Sequence, residues 1–451
     1  MGNRVKIVCC CALWLLAQVG HAEVTDHTQA VLRIDDGSQF LTAAPSEKQD
    51  QTQELGANLA GLLNYAREHN PEFAAMRHEA EAAAERVRPA AALPDPVFRT
   101  ELMDITNQGM DKAASLLPAQ VGSTRYTLMQ SVPWFGKRDL KREVAEAGAD
   151  QARGRAAAIW AELSAQIKSA YAQHYFVAGN QKITLDLLDL VVQMEQIAQG
   201  RYANGLAAQQ DVIRAQVEQT TMKTELVMLD NAKRQIKARL NALLSRPMTE
   251  PLATPQSLRS VPASASLKNY AELENHIREH NPDLFVDEAG IRTSEKNRDL
   301  MYKNRYPDLA LGISPTQFGS AVREWGVMLE LNIPLQQESR RSQERESEAM
   351  LAAAKSRKEA TANRILSALA ENLSEIEAAQ RTELLSSGGL LPQANVTFES
   401  ALSGYQTGKV DFATLLDAAR QVLTARLEVL KAQTDAQMGW AEIERLLGEE
   451  L

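Results

Sequence analysis

The sequence lacks the features of several common protein classes. Only 5% of its 451 residues are aromatic, and it has no run of about 18 apolar residues, which excludes a bundle of transmembrane helices. Its 49 lysines and arginines are outnumbered by 58 acidic residues, giving a net charge of −9. Because a nucleic-acid binder needs a basic surface, we expect no nucleic-acid partner.

Cysteine is confined to three consecutive positions that begin at Cys9. They lie in a segment with the pattern of a signal peptide, in which a positive start and an apolar run from Ile7 to Ala17 precede a small-residue site ending at Ala22. We expect residues 1–22 to be cleaved near Ala22. The exported chain would then have no disulfide, reactive thiol, cysteine metal site or N-terminal lipidation.

The chain contains two copies of one unit, assigned to residues 56–245 and 267–451. The motif that begins at Arg67 returns at Arg278. Four further landmarks recur in the same order: Pro94-Asp95 with Pro307-Asp308, Val132-Pro133 with Ile333-Pro334, Tyr202 and Gly205 with Tyr405 and Gly408, and Leu243-Leu244 with Leu446-Leu447. Residues 23–55 form an N-terminal segment, and the proline-rich residues 246–266 form a linker.

Each copy is predicted to fold as a helix, two strands, a long helix, a glycine turn and a return helix. Residues 134–246 and 335–451 contain one proline, Pro392, and proline is excluded from helix interiors. Gly388, Gly389 and Pro392 should break or kink the second long helix. The first helices are placed at about 56–88 and 268–304, the strands at about 97–105, 124–134, 308–314 and 323–333, and the first long helix at about 137–200.

The predicted strands alternate apolar and polar residues with a period of two. This pattern, over about 9–11 residues, is typical of outer-membrane strands, and also of half-buried hairpins in a soluble protein. Trp134, Phe135 and Trp325 lie near strand ends, where an aromatic girdle would contact the membrane interface. Two hairpins cannot close a barrel, so membrane insertion would require several chains.

Three motifs carry a family resemblance that extends over the mature sequence. They are Gln130-Ser-Val-Pro-Trp-Phe-Gly-Lys137, Gly200-Arg-Tyr-Ala-Asn-Gly-Leu206 and Gly404-Tyr-Gln-Thr-Gly-Lys-Val-Asp411. With the duplication, they resemble the TolC family of outer-membrane efflux channels. The resemblance implies a mainly α fold with a small β part. Three chains would form a twelve-stranded barrel in outer-membrane lipid, with four strands per chain, and an α-helical tunnel through the periplasm.

The same resemblance implies a passive conduit without enzymatic activity or cofactor. Its partners would be a periplasmic adaptor and an inner-membrane pump of the resistance-nodulation-division type. The sequence resembles heavy-metal efflux members loosely, and drug or protein export remains open. The leading alternative is an envelope-associated coiled-coil scaffold without channel activity, and an enzyme ranks third.

Two sets of residues are candidates for function at the periplasmic end of the tunnel. The glycine turns end helices because glycine tolerates the left-handed conformation, and the family resemblance makes them an adaptor-docking tip: Asn204, Gly205, Leu206, Thr407, Gly408 and Lys409. Asp211, Tyr405 and Asp417 match positions in the family's closed gate. Thr414 replaces a second ring aspartate, and acidic groups near a helix N-terminus are favourable without any gate.

One sequence pattern suggests a metal site and is given a structural interpretation instead. His276 to His280 fits H-x-x-E-H, a zinc-protease pattern that places both histidines on one helical face. The first repeat has Tyr65 where the second has His276, and no third ligand is evident. We therefore expect no metal site, and we place His69 and His280 at helix boundaries.

Overall fold

The computed structural model describes residues 55–106, 114–262 and 270–449. The predicted signal peptide (residues 1–22) and the predicted N-terminal segment up to residue 54 lie outside the described residues, as do residues 107–113, 263–269 and 450–451. The strands are β1 (Val97–Met103), β2 (Ser123–Val132), β3 (Asp308–Phe318) and β4 (Ala321–Asn332). The helices are α1 (Leu59–His69), α2 (Pro71–Glu85), α3 (Val87–Ala91), α4 (Lys137–Ala203), α5 (Gln209–Leu243), α6 (Tyr270–His280), α7 (Pro282–Lys303), α8 (Gln337–Leu385), α9 (Leu391–Gln406) and α10 (Phe412–Leu447). The predicted class, mainly α with a small β part, is confirmed.

The prediction of one continuous helix at the start of each repeat is wrong. Asn70 and Asn281 adopt extended backbone conformations, and each caps a new helix by accepting a bond from the N–H three residues later. The two side-chain amides also donate to the carbonyls of Leu243 (2.9 Å) and Leu446 (2.7 Å), respectively. Each asparagine therefore joins the start of its repeat to the end of its return helix.

The 67-residue helix α4 is the scaffold of the described fold. At 1.5 Å per residue it is about 100 Å long, and α2, α5, α7 and α10 pack along it. None of the described helices is long and apolar enough to span a membrane. At Gly388 and Gly389, where a break or kink was expected, the structure has a single π-helical turn, Ser386–Leu390. This turn joins α8 directly to α9, so the chain stays helical.

The four strands form one antiparallel sheet in the order β1-β2-β3-β4. Ile313 of β3 lies opposite Leu128 of β2 on one side and Val327 of β4 on the other. Two residues away on the same strands, Leu311 lies opposite Leu329, so these apolar side chains share one face of the sheet. This face is open, and Val327 is 85% exposed. Both β3 and β4 extend beyond their predicted bounds toward the turn that joins them. β1 and β4 form the two edges of the sheet within the described residues.

A buried ionic group fixes the linker to the long helices. Glu444 of α10 accepts two hydrogen bonds from Arg259 of the linker (2.8 and 2.9 Å) and one from Lys168 of α4 (2.8 Å). Glu444 and Lys168 are 3% and 5% exposed. Burial by itself raises the pKa of Glu444, but the bonds from Arg259 and Lys168 outweigh it and hold that pKa below its usual range.

We expect the Glu444→Gln variant to be destabilised by about 3–5 kcal/mol at neutral pH, because it removes the buried negative charge that pairs with the buried Lys168 and the half-buried Arg259. A lowered carboxylate pKa stabilises the fold above the unfolded-state value, and this contribution is lost as the pH falls through the folded-state pKa. The difference in unfolding midpoint between wild type and variant should therefore shrink below about pH 4.3. Thermal unfolding at pH values above and below this point measures the difference, and Glu442→Gln, at a partly exposed glutamate of the same helix, is the control. A difference independent of pH would contradict the assignment.

Candidate functional site

The two glycine turns of the chain lie side by side. Gly205 has φ 72° and Gly408 has φ 77°, the left-handed region that closes helices. Backbone N–H groups of Leu206 and Lys409 donate back to the carbonyls of Arg201 and Gly404, at 2.8 Å each. Both turns thus end their helices in the same way, as the repeat predicts.

Arg201 connects the two turns, and sequence analysis missed it. Its guanidinium donates to the carbonyl of Leu206 in the first turn (3.0 Å) and to that of Gln406 beside the second (2.6 Å). The same group lies over the Tyr405 ring, 5.1 Å from its centre. The sequence indicated only that Arg201 belongs to the motif from Gly200 to Leu206, and nothing in that motif shows which groups its side chain contacts.

Tyr405 and Asp211, both predicted gate residues, are brought together. The Tyr405 hydroxyl donates to Asp211 Oδ2 at 3.2 Å, and the ring packs edge-on against Phe412. Burial and the nearby Asp211 carboxylate raise the pKa of Tyr405 to about 12. The phenol therefore remains a hydrogen-bond donor at physiological pH.

Asp417, the third predicted gate residue, is separate from this pair. Its side chain is 69% exposed and lies 3.8 Å from Arg420 on the same helix. Arg420 also makes a two-point bond to the buried Glu218 of α5. Asp417 thus projects from a surface where α5 and α10 are joined by an ion pair, and Arg420 and Glu218 were not predicted.

The rest of the predicted docking tip is exposed. Asn204, Gly205, Thr407, Gly408 and Lys409 are all solvent-accessible, and Leu206 is 65% exposed. Two polar side chains bond back to the helices that the turns end. The Asn204 amide donates to the carbonyl of Gly200 (2.7 Å), and the Thr407 hydroxyl donates to the carbonyl of Ser403 (3.0 Å). The result is a firm polar surface with one apolar side chain.

The predicted interface aromatics lie at opposite ends of the sheet. Trp134 and Phe135 follow β2 and contact each other, and Trp134 stacks on Tyr306 with ring centres 5.4 Å apart. Trp325 does not end a strand, because it pairs with Pro315 inside β4, toward the β3–β4 turn. Phe135 and Trp325 are 77% and 74% exposed.

The histidines of the H-x-x-E-H pattern stack on each other, as His69 stacks on Tyr65 in the first repeat. The His276 and His280 ring centres are 4.3 Å apart, and His276 Nε2 lies 2.7 Å from Glu449. His69 and His280 are the last residues of α1 and α6, as expected. Within the described ranges, no group of three or more His, Cys, Asp or Glu side chains is arranged to hold a metal ion.

Comparison with known proteins identifies this architecture. The profile of the family described as "Outer membrane efflux protein" matches residues 62–246 and 273–449. The chain is 24% identical over 428 residues to the cobalt-zinc-cadmium resistance protein CzcC of Cupriavidus metallidurans, covering 93% of this chain and 95% of that protein. These matches include both repeats.

Solved structures share the fold. The outer-membrane channel OprN superposes with a TM-score of 0.75 at 19% identity, covering 93% of this chain and 99% of OprN. The outer membrane protein VceC from Vibrio cholerae superposes with a TM-score of 0.73 at 17% identity, covering 87% and 96%. Because the family profile matches most of the chain in both repeats, this chain belongs to the outer membrane efflux protein family, and the predicted relationship to TolC-family efflux channels is confirmed.

Proposed function

We propose that three copies of this chain form one passive channel through the outer membrane, after export and removal of residues 1–22. The observation that carries the proposal is the sheet. It exposes an apolar face and, within the residues that the structure describes, ends in the open edges of β1 and β4, while strands in lipid must have every backbone group paired. Four strands from each of three chains would close a twelve-stranded barrel and leave no edge.

The helical part would continue this conduit into the periplasm. α4 begins within a few residues of β2 and ends at the glycine turns, so its length separates the turns from the sheet by about 100 Å. At that distance the turns would contact a periplasmic adaptor, which connects the channel to an inner-membrane pump of the resistance-nodulation-division type. The pump would supply the energy, and this chain would have no catalytic role.

We infer that the substrates are divalent heavy-metal ions. The support is the similarity to CzcC, whose name describes resistance to cobalt, zinc and cadmium and which this chain matches over nearly its full length. A ring of Asp417 carboxylates, one from each copy, would attract such cations near the entrance. The bond between Tyr405 and Asp211 would hold the closed state.

We expect cells with the cognate pump and adaptor to tolerate several-fold more zinc, cobalt and cadmium when this chain is present than when its gene is deleted. Growth inhibition by the metals and by lipophilic antibiotics measures the substrate class. A gain for antibiotics alone would contradict metal export. A soluble monomer in place of a heat-modifiable outer-membrane trimer would favour the scaffold alternative.

Tyr405→Phe should increase the open probability of the channel in planar bilayers at neutral pH. A bond to a charged acceptor contributes about 1.5–3 kcal/mol, so the closed-to-open ratio should fall about tenfold or more. Tyr202→Phe is a matched control, because this exposed tyrosine occupies the corresponding position of the first repeat.

Asp211→Asn should also lower the pKa of Tyr405, because it removes the carboxylate charge that helps to raise it. A raised tyrosine pKa stabilises the fold below about pH 10, and the contribution is lost as the pH rises through about 12. Tyrosinate absorbance, taken as the difference from Tyr405→Phe, follows the titration of Tyr405.

In the bilayer measurement, equal open probabilities for wild type and Tyr405→Phe would exclude the bond between Tyr405 and Asp211 as a gate.

Asp417→Ala should weaken the block of single-channel current by divalent cations, because three carboxylates would be lost from one ring. Asp230→Ala, which removes a carboxylate paired with Arg234 on α5, is the control for charge loss elsewhere. Unchanged cation block and open probability in Asp417→Ala would rule out the ring.

A further inference from the structure

Arg201 lies where the ends of two helices meet. α4 ends at Ala203 and α9 at Gln406, and the last carbonyls of a helix have no partner within it. Arg201 is in the last turn of α4, and its guanidinium donates to the carbonyl of Gln406, the last residue of α9, and to that of Leu206 in the turn that follows α4. Since negative partial charge collects at helix C-termini, one cation there stabilises both helices.

The chemistry of this contact requires arginine. A guanidinium is a planar fork whose separate N–H groups can reach two acceptors at once, whereas a lysine ammonium is a compact point charge. The surroundings fit the fork, because a methyl group at Gly408 would lie only 3.2 Å from Arg201 Nη2. The glycine that closes the second turn therefore also admits the arginine of the first.

Arg201 also restrains Tyr405. The guanidinium lies over one face of the ring, 5.1 Å from its centre, while Phe412 packs edge-on at 5.4 Å. These contacts hold the ring in the orientation from which its hydroxyl reaches Asp211. The second repeat has no equivalent of this contact, because Gly404 occupies the position that corresponds to Arg201 in the first.

We propose that Arg201 is a positioning residue that joins the two glycine turns of one protomer into a single docking surface for the adaptor. It fixes the spacing between the turns and the orientation of Tyr405. This inference rests on the proposed function of the tip as a docking site. It adds that the adaptor recognises both turns together, as one rigid unit, and that the turns of isolated repeats would not suffice.

The spacing of the turns can be measured in the full-length channel without the adaptor. The predicted mature chain has no cysteine, so spin labels at Asn204→Cys and Lys409→Cys report one distance within each protomer, in trimers that mix labelled with excess unlabelled chains. Wild-type Arg201 should give a narrow distribution of distances. Arg201→Gln should broaden it, and Arg201→Lys should broaden it nearly as much, because its ammonium retains the charge without the fork.

Adaptor binding to the same unlabelled variants gives the functional measurement. We expect Arg201→Gln to bind the purified cognate adaptor about tenfold more weakly, the effect of one lost charge-assisted hydrogen bond. Arg214→Gln is the control. It removes an exposed arginine from the first turns of α5, close to the first glycine turn, and should bind the adaptor as the wild type does. Recovery of heat-modifiable trimers verifies that each variant has folded.

The two measurements separate the inference from the function on which it rests. Unchanged spacing or unchanged adaptor affinity in Arg201→Gln overturns the role of Arg201. If Arg201→Gln does not fold, a narrow distribution in Arg201→Lys overturns it equally. Failure of the wild type to bind the adaptor contradicts the docking function, and the label distances still test whether Arg201 joins the turns.

Discussion

The fold depends on one uninterrupted backbone hydrogen-bond ladder, that of α4. The stability of this 67-residue helix comes mainly from the packing of other helices along its sides, and intrinsic helix propensity contributes little. Small residues make this packing possible: Gly154 lies against Phe285 of α7, and Gly179 against Leu430 of α10. Because other helices approach α4 closely along its length, this one helix sets the distance between the sheet and the glycine turns.

Much of the fold could be predicted because its determinants are local or periodic. Two-residue alternation located all four strands, and the absence of proline located the long helices. The helix range 56–88 ran through the break at Asn70, although His69 was placed at a helix boundary, because Asn-Pro is compatible with both a helix end and a helix start, and here it serves as both. The ionic group at Glu444 joins residues from positions 168, 259 and 444, a spacing that no local pattern records.

For the candidate site, the contact between Tyr405 and Asp211 is seen in the structure, and the roles of these residues stay predictions. Tyr405, Asp211 and Asp417 came from the family resemblance, since no local pattern distinguishes a gate residue from a helix-capping one. Arg201 could not be recognised, because its role depends on the carbonyl of Gln406, 205 residues later. Its significance lies in a contact with backbone, which leaves no complementary residue type in the sequence.

The two repeats differ in several contacts at their glycine turns. Asp411 caps α10 through a 2.9 Å bond from the Thr414 N–H, while Ala208 stands at the corresponding position and α5 has no side-chain cap. Tyr405 is buried, whereas its counterpart Tyr202 is 48% exposed. The two turns thus share their backbone geometry and differ in the side chains that surround them.

The bonds from Asn70 and Asn281 have a consequence for the order of folding. Each spans most of a repeat, 173 residues in the first and 165 in the second, so neither can form until its return helix has been synthesised. Closing a long loop costs only slightly more entropy than closing a short one. Each repeat therefore has its own closing bond between its first helices and its return helix, and that bond uses no residue of the other repeat.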